Sequence, residues 1–149
     1  MSMRAPVLIV LLLTLLALAA PAVASASPSA SARALHCQAA AGGGLPSADF
    51  EGHMKAVRGT SRMSMRFEVQ EMVGGVPWTK VEAPALRRWR RSSARVASFS
   101  FVQRVENLRL EGAYRVVVSF KWLGRSGRVL RTATRVSDPC SAVEPVPGT

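Results

Sequence analysis

The chain has 149 residues, with 20 basic against nine acidic side chains and a formal net charge of +11. That length leaves room for one domain and excludes a second once an export signal is subtracted. Only two cysteines and two histidines are present, with no C-x-x-C pair, so a metal site built on His36 and Cys37 lacks further ligands.

The first segment reads as a secretory signal over residues 1–26. Arg4 supplies the positive charge, Val7 to Ala20 the apolar run, and Pro21 with small residues the cleavage region. The apolar run is too short for a bilayer core, which needs about 20 residues, so no transmembrane span is expected after its removal. Ala24-Ser25-Ala26 places the cut after Ala26, with Ala22-Val23-Ala24 as the competing site. The cut leaves 123 residues, one domain in size, bearing 19 basic and nine acidic side chains. The predicted location is outside the cytoplasm.

Residues 27–49 are rich in Ala, Ser, Gly and Pro, with Gly42-Gly43-Gly44 at the centre, and are expected to be a flexible linker containing Cys37. Two cysteines in an exported chain point to a disulfide between Cys37 and Cys140, placed outside the strands at the two ends of the domain. Closing so long a loop contributes roughly 4 to 5 kcal/mol in the chain-entropy model.

The domain is expected over residues 50–141. A weak strand candidate lies near Glu51 to Val57. Met63, Met65, Phe67 and Val69 then alternate with polar residues, which predicts a half-buried strand. Trp78 to Val81 is a shorter candidate, and Ala97 to Val105 a longer one with Phe99, Phe101, Gln103 and Val105 on one face. The clearest alternation is Tyr114, Val116, Val118, Phe120 and Trp122, followed by Leu123-Gly124-Arg125-Ser126-Gly127 and a last strand from Arg128 to Val136. Two glycines between alternating runs signal a tight hairpin. Tyr114, Trp122, Phe120 and Phe67 are the expected core. No stretch carries helical periodicity over three turns. Six or seven antiparallel strands must cover each other's apolar faces in two packed layers. Residues 142–149 are expected to be a disordered tail.

Leu110-Glu111-Gly112-Ala113-Tyr114-Arg115-Val116-Val117-Val118 resembles the approach to the penultimate strand of immunoglobulin and fibronectin type III domains. The resemblance implies an all-β, immunoglobulin-like sandwich in which Tyr114 turns into the core and bonds back to nearby backbone. It implies a fold class and not a function. The whole pattern, including Arg62 to Phe67, Trp89-Arg90 and Phe120-Lys121-Trp122, also resembles small secreted proteins of GC-rich bacteria that carry no assigned activity.

Leu86-Arg87-Arg88-Trp89-Arg90-Arg91 is the sharpest local feature. Its indole is suited to stacking and its guanidinium groups to clamping anions, which makes Arg87, Arg88, Trp89, Arg90 and Arg91 candidate anion-binding residues. The structural alternative makes Leu86 and Trp89 core anchors at a strand edge, with the arginines held outside by their charge. No G-x-S-x-G setting, paired carboxylates or phosphate-cradling glycine loop is present, so neither enzymatic activity nor a cofactor is expected. Two functions remain: a non-catalytic binding or structural module whose macromolecular partner lies at the envelope or outside the cell, and a cationic protein that holds anionic polymers or membrane surfaces through the Arg/Trp segment.

Overall fold

A computed structural model describes residues 29–38 and 45–141, and all regular structure in them is strand. The strands are β1 (Ala30–Gln38), β2 (Ser47–Lys55), β3 (Arg62–Val73), β4 (Thr79–Lys80), β5 (Arg90–Arg91), β6 (Ser98–Val105), β7 (Gly112–Leu123), β8 (Val129–Val136) and β9 (Cys140–Ser141). They form two antiparallel sheets. The first has the order β1-β2-β6; the second has β4-β3-β7-β8, with β5 also on β3 and β9 also on β7.

Strict alternation builds the second sheet. Along β7 every second residue from Gly112 to Trp122 is buried, and β3 buries Met63, Met65, Phe67 and Val69 opposite it. The four expected core residues Phe67, Tyr114, Phe120 and Trp122 are all buried. The β7–β8 hairpin forms as its glycines predict, with Gly127 at φ +80° and Gly124 bonded to Arg128.

The first sheet meets this face through Phe50 and Met54 of β2. Between them lies Gly52, where an added Cβ would stand 2.8 Å from Met65 Sδ, 3.1 Å from Phe67 Cζ and 3.3 Å from Val118 Cγ1. Glycine suits this position because an added side chain would press on Met65, Phe67 and Val118 of the facing sheet.

Three expectations need correction. Residues 27–49 are not a linker throughout, because Ala30–Gln38 pairs along the whole of β2 and Ser47 onward belongs to β2 itself. Its small residues suit a strand laid against a neighbour: Ala30 is fully buried although it carries almost no strand signal. The cysteines also lie inside strands. Cys37 sits in β1 and Cys140 in β9, and their disulfide, spanning 103 residues, joins the two sheets. Trp89 is not a core anchor: its neighbours are cations on the outer face of the second sheet. Leu86 does pack against the core. The signal over 1–26, Gly42-Gly43-Gly44 and the tail over 142–149 lie outside the described residues.

Away from the disulfide, at the start of β1, the Arg135 Nε donates to the Ala30 carbonyl at 3.2 Å. Near the far end of β2, the Trp122 indole N–H donates to the Lys55 carbonyl at 2.7 Å, again from one sheet to the other. Gly52→Ala is expected to overpack the space between the disulfide and these two bonds and cost about 1 to 3 kcal/mol, read as a lower urea midpoint with an unchanged m-value. An unchanged midpoint would show that the sheets do not meet closely at this position.

Candidate functional site

The side chains of the Arg/Trp segment have partners in different directions. Arg87 is held by Glu82 at 3.0 Å. Strand alternation then divides its neighbours. Arg90 pairs with inward-facing Met65, donates to Gln103 Oε1 at 3.3 Å and lies 4.9 Å over the Phe101 ring. Arg91 is exposed opposite Ser64, and Arg88 is exposed in the preceding turn. Trp89 lies with the Arg66 guanidinium 5.1 Å and the Lys121 ammonium 4.3 Å from its ring. Trp78 is matched the same way with Arg115, at 4.3 Å. Each of these indoles is therefore stacked by cations of the protein itself.

A cleft of about 610 Å³ opens between the end of β6 and residues 80–86. Val81, Leu86, Val105, Leu108 and Tyr114 supply its apolar lining. Most of its charges are internally matched: Lys80 with Glu68 at 2.7 Å, Arg104 with Glu106 at 3.1 Å, and Arg87 with Glu82. The Lys80 hydrogen bond holds the Glu68 carboxyl below its ordinary pKa. The Tyr114 hydroxyl is committed as well. It accepts from the Arg109 amide at 2.7 Å and donates to the Arg109 carbonyl at 3.4 Å. Burial pushes its pKa up.

One serine–histidine contact occurs on the outer face of the first sheet, where Ser100 Oγ and His53 Nδ1 lie 2.7 Å apart. Neither residue lines this cleft. The pair is cross-strand in register, and β2 and β6 simply bring it together. Among the described residues no group of three His, Cys, Asp or Glu is placed to hold a metal, and the Cys37 sulfur is committed to Cys140.

The site that sequence reading missed is one end of the sandwich. Three connections meet there: the β2–β3 turn (56–61), the β5–β6 loop (92–97) and the β7–β8 hairpin (124–128). The Arg95 amide donates to the Ser61 carbonyl at 2.8 Å, and the Ser61 amide to the Leu123 carbonyl at 2.7 Å. The three connections are therefore knitted into one surface. Trp122 lies beneath it, bonded to the Lys55 carbonyl.

This end carries Lys55, Arg58, Arg62, Arg95, Arg125 and Arg128, all exposed. Arg131 follows on β8, its guanidinium 5.4 Å over the Trp122 ring. The described carboxylates lie elsewhere. Asp49 and Glu51 occupy the first part of β2, Glu68 and Glu71 the second half of β3; Glu106 follows β6, Glu111 precedes β7, Asp138 follows β8, and Glu82 lies in the cleft at the end of β6. Antiparallel pairing carries these to mid-sheet or the opposite end. Every described ion pair is found there too, and none includes a cation of the loop end. Between the turns lies a second groove of about 260 Å³, lined by Gly59, Thr60, Ser61, Arg95 and Arg125.

No family model, curated protein or solved structure matched the chain in comparison.

Tyr114→Phe removes both hydroxyl bonds and leaves the Arg109 groups without that partner, at an expected cost of about 1 to 3 kcal/mol near neutral pH. The raised pKa means the folded state favours the protonated phenol. Its contribution is present below the ordinary tyrosine range and is lost as pH climbs above about 10 through the folded value. The stability gap between wild type and Tyr114→Phe should therefore narrow in alkaline urea titrations; a constant gap would contradict the assignment.

Proposed function

We propose that the chain is an exported, immunoglobulin-like β-sandwich module that acts by binding and not by catalysis, and that it holds an anionic polymer at its basic loop end. The fold assignment draws on strand order. Lettered by position, β1, β2 and β6 correspond to A, B and E, and β3, β7 and β8 to C, F and G, as in the immunoglobulin arrangement. Tyr114, near the start of β7 and bonded back to Arg109, supports the same assignment. The apolar run at 7–20 and the disulfide support export.

Segregation of charge carries the functional reading. A cationic composition alone is matched by any arginine-rich, GC-biased chain. Here five of the eight described acidic residues are paired with cations away from the loop end, and the other three also lie away from it, while the loop end's own cations have no carboxylate partner among the described residues. Such a surface attracts polyanions over about a Debye length and gains affinity by counterion release on contact. The Arg87–Arg91 segment is secondary because Arg87 and Arg90 already have partners and Trp89 is matched by cations.

Heparin-agarose provides the test. Combined Arg58→Glu, Arg125→Glu and Arg128→Glu substitutions are expected to lower the eluting salt far more than Arg87→Glu, Arg88→Glu and Arg109→Glu together, although both sets change net charge equally. The slope of log affinity against log salt should fall by roughly one for each anionic group of the polymer no longer neutralised. Equal shifts in the two sets would reduce the effect to overall charge and remove the loop end as the site.

A further inference from the structure

Resting on the polyanion reading above, we infer that the groove between the turns is a phosphate subsite, and that the polymer bound is one of phosphate groups and not of carboxylates. At about 260 Å³ the groove is smaller than the few hundred Å³ typical of a pocket for a whole small molecule, and suits one group of a longer chain. Arg95 and Arg125 line it from two different loops, and neither guanidinium has a protein partner among the described residues. The Thr60 hydroxyl accepts from the Val57 amide at 3.1 Å, which leaves its proton free to donate. Ser61 adds a second hydroxyl to the lining.

A carboxylate is planar, and one guanidinium fork satisfies it. A phosphate presents acceptor oxygens in tetrahedral directions, so two guanidinium groups and hydroxyls approaching from separate loops match it better. Backbone geometry holds Arg95 in place: its φ is +59°, a left-handed conformation uncommon outside glycine and asparagine, and its amide is tied to the Ser61 carbonyl.

The surroundings narrow the polymer further. Trp122 beneath the turns is buried and offers no platform for a base. Among the described residues only Val129, of the exposed large apolar side chains, flanks the hairpin, so they offer little there to enter a bilayer. Recognition therefore falls on the phosphate groups of a soluble or wall-bound chain.

The experiment compares the disulfide-bonded protein on inorganic polyphosphate and on polyaspartate of matched charge number, at one ionic strength, with phosphatidylglycerol vesicles as a third arm. Wild type is expected to prefer polyphosphate by on the order of tenfold, the effect of one good charge-assisted contact. Arg95→Asn, chosen because asparagine tolerates the left-handed backbone, combined with Arg125→Gln should erase the preference, and Arg125→Gln alone should reduce it. Arg58→Gln with Arg128→Gln should weaken both polymers alike and keep it. Equal binding by wild type, a preference that survives the Arg95 and Arg125 changes, or binding to vesicles but to neither polymer overturns the subsite. Failure to bind any of the three removes the polyanion reading along with it.

Discussion

Where β2 crosses β3 and β7, the backbone of one sheet comes so close to Met65, Phe67 and Val118 that a side chain at residue 52 would force them to shift. Phe50 and Met54 flank that point and fill the space on either side. Close packing of this kind is felt down to a single methylene, so the approach at Gly52 sets the spacing for the whole interior. The links at the periphery follow from it. The Cys37–Cys140 bridge closes one region, and the Arg135–Ala30 and Trp122–Lys55 bonds close the other. With folding stability ordinarily only about 5 to 15 kcal/mol, a disulfide contribution of a few kcal/mol is a large share of the total.

The same scaffold gives the basic end its character. Trp122 holds the last residue of β2 in place, and the turns that follow are bonded to one another and not to side chains that would neutralise them. Arginines in such turns stay in water, where mutual repulsion is weak and salt screens it. Without a carboxylate partner among the described residues they persist at little cost to folding, while their summed field reaches beyond the surface. Elsewhere the charges behave differently: Glu68 with Lys80, Glu82 with Arg87, and Asp49 and Glu106 with Arg104 satisfy one another.

Strands with a full alternating pattern were legible in the sequence. β3, β6, β7 and the β7–β8 hairpin fall within a few residues of their expected positions, because one face of each meets the core and the other meets water. β1 was not legible. Alanine, serine and arginine carry no strand preference, and only its pairing with β2 defines it. Trp78 and Trp89 show a second limit: an aromatic matched by Arg115, or by Arg66 and Lys121, looks in sequence like a core residue. The run from Arg87 to Arg91 stands out in the sequence because it is contiguous, yet alternation sends Arg90 inward and leaves Arg91 outside. The basic end is hidden in the sequence for the converse reason. Its cations come from separate segments around residues 55–62, 95 and 125–128, and only the antiparallel arrangement gathers them. A usable signal was present: with strands assigned, the turns after β2 and β7 contain arginine and no acidic residue.

Backbone amide shifts recorded during titration with polyphosphate test the central claim most directly, because they locate the bound polymer without altering the protein. Perturbations are expected to concentrate at residues 57–61, 93–97 and 124–128 and to weaken as salt is added. Perturbations centred instead on Trp78 and Trp89, or on the cleft around Tyr114 and Arg109, would contradict a polyanion site at the loop end.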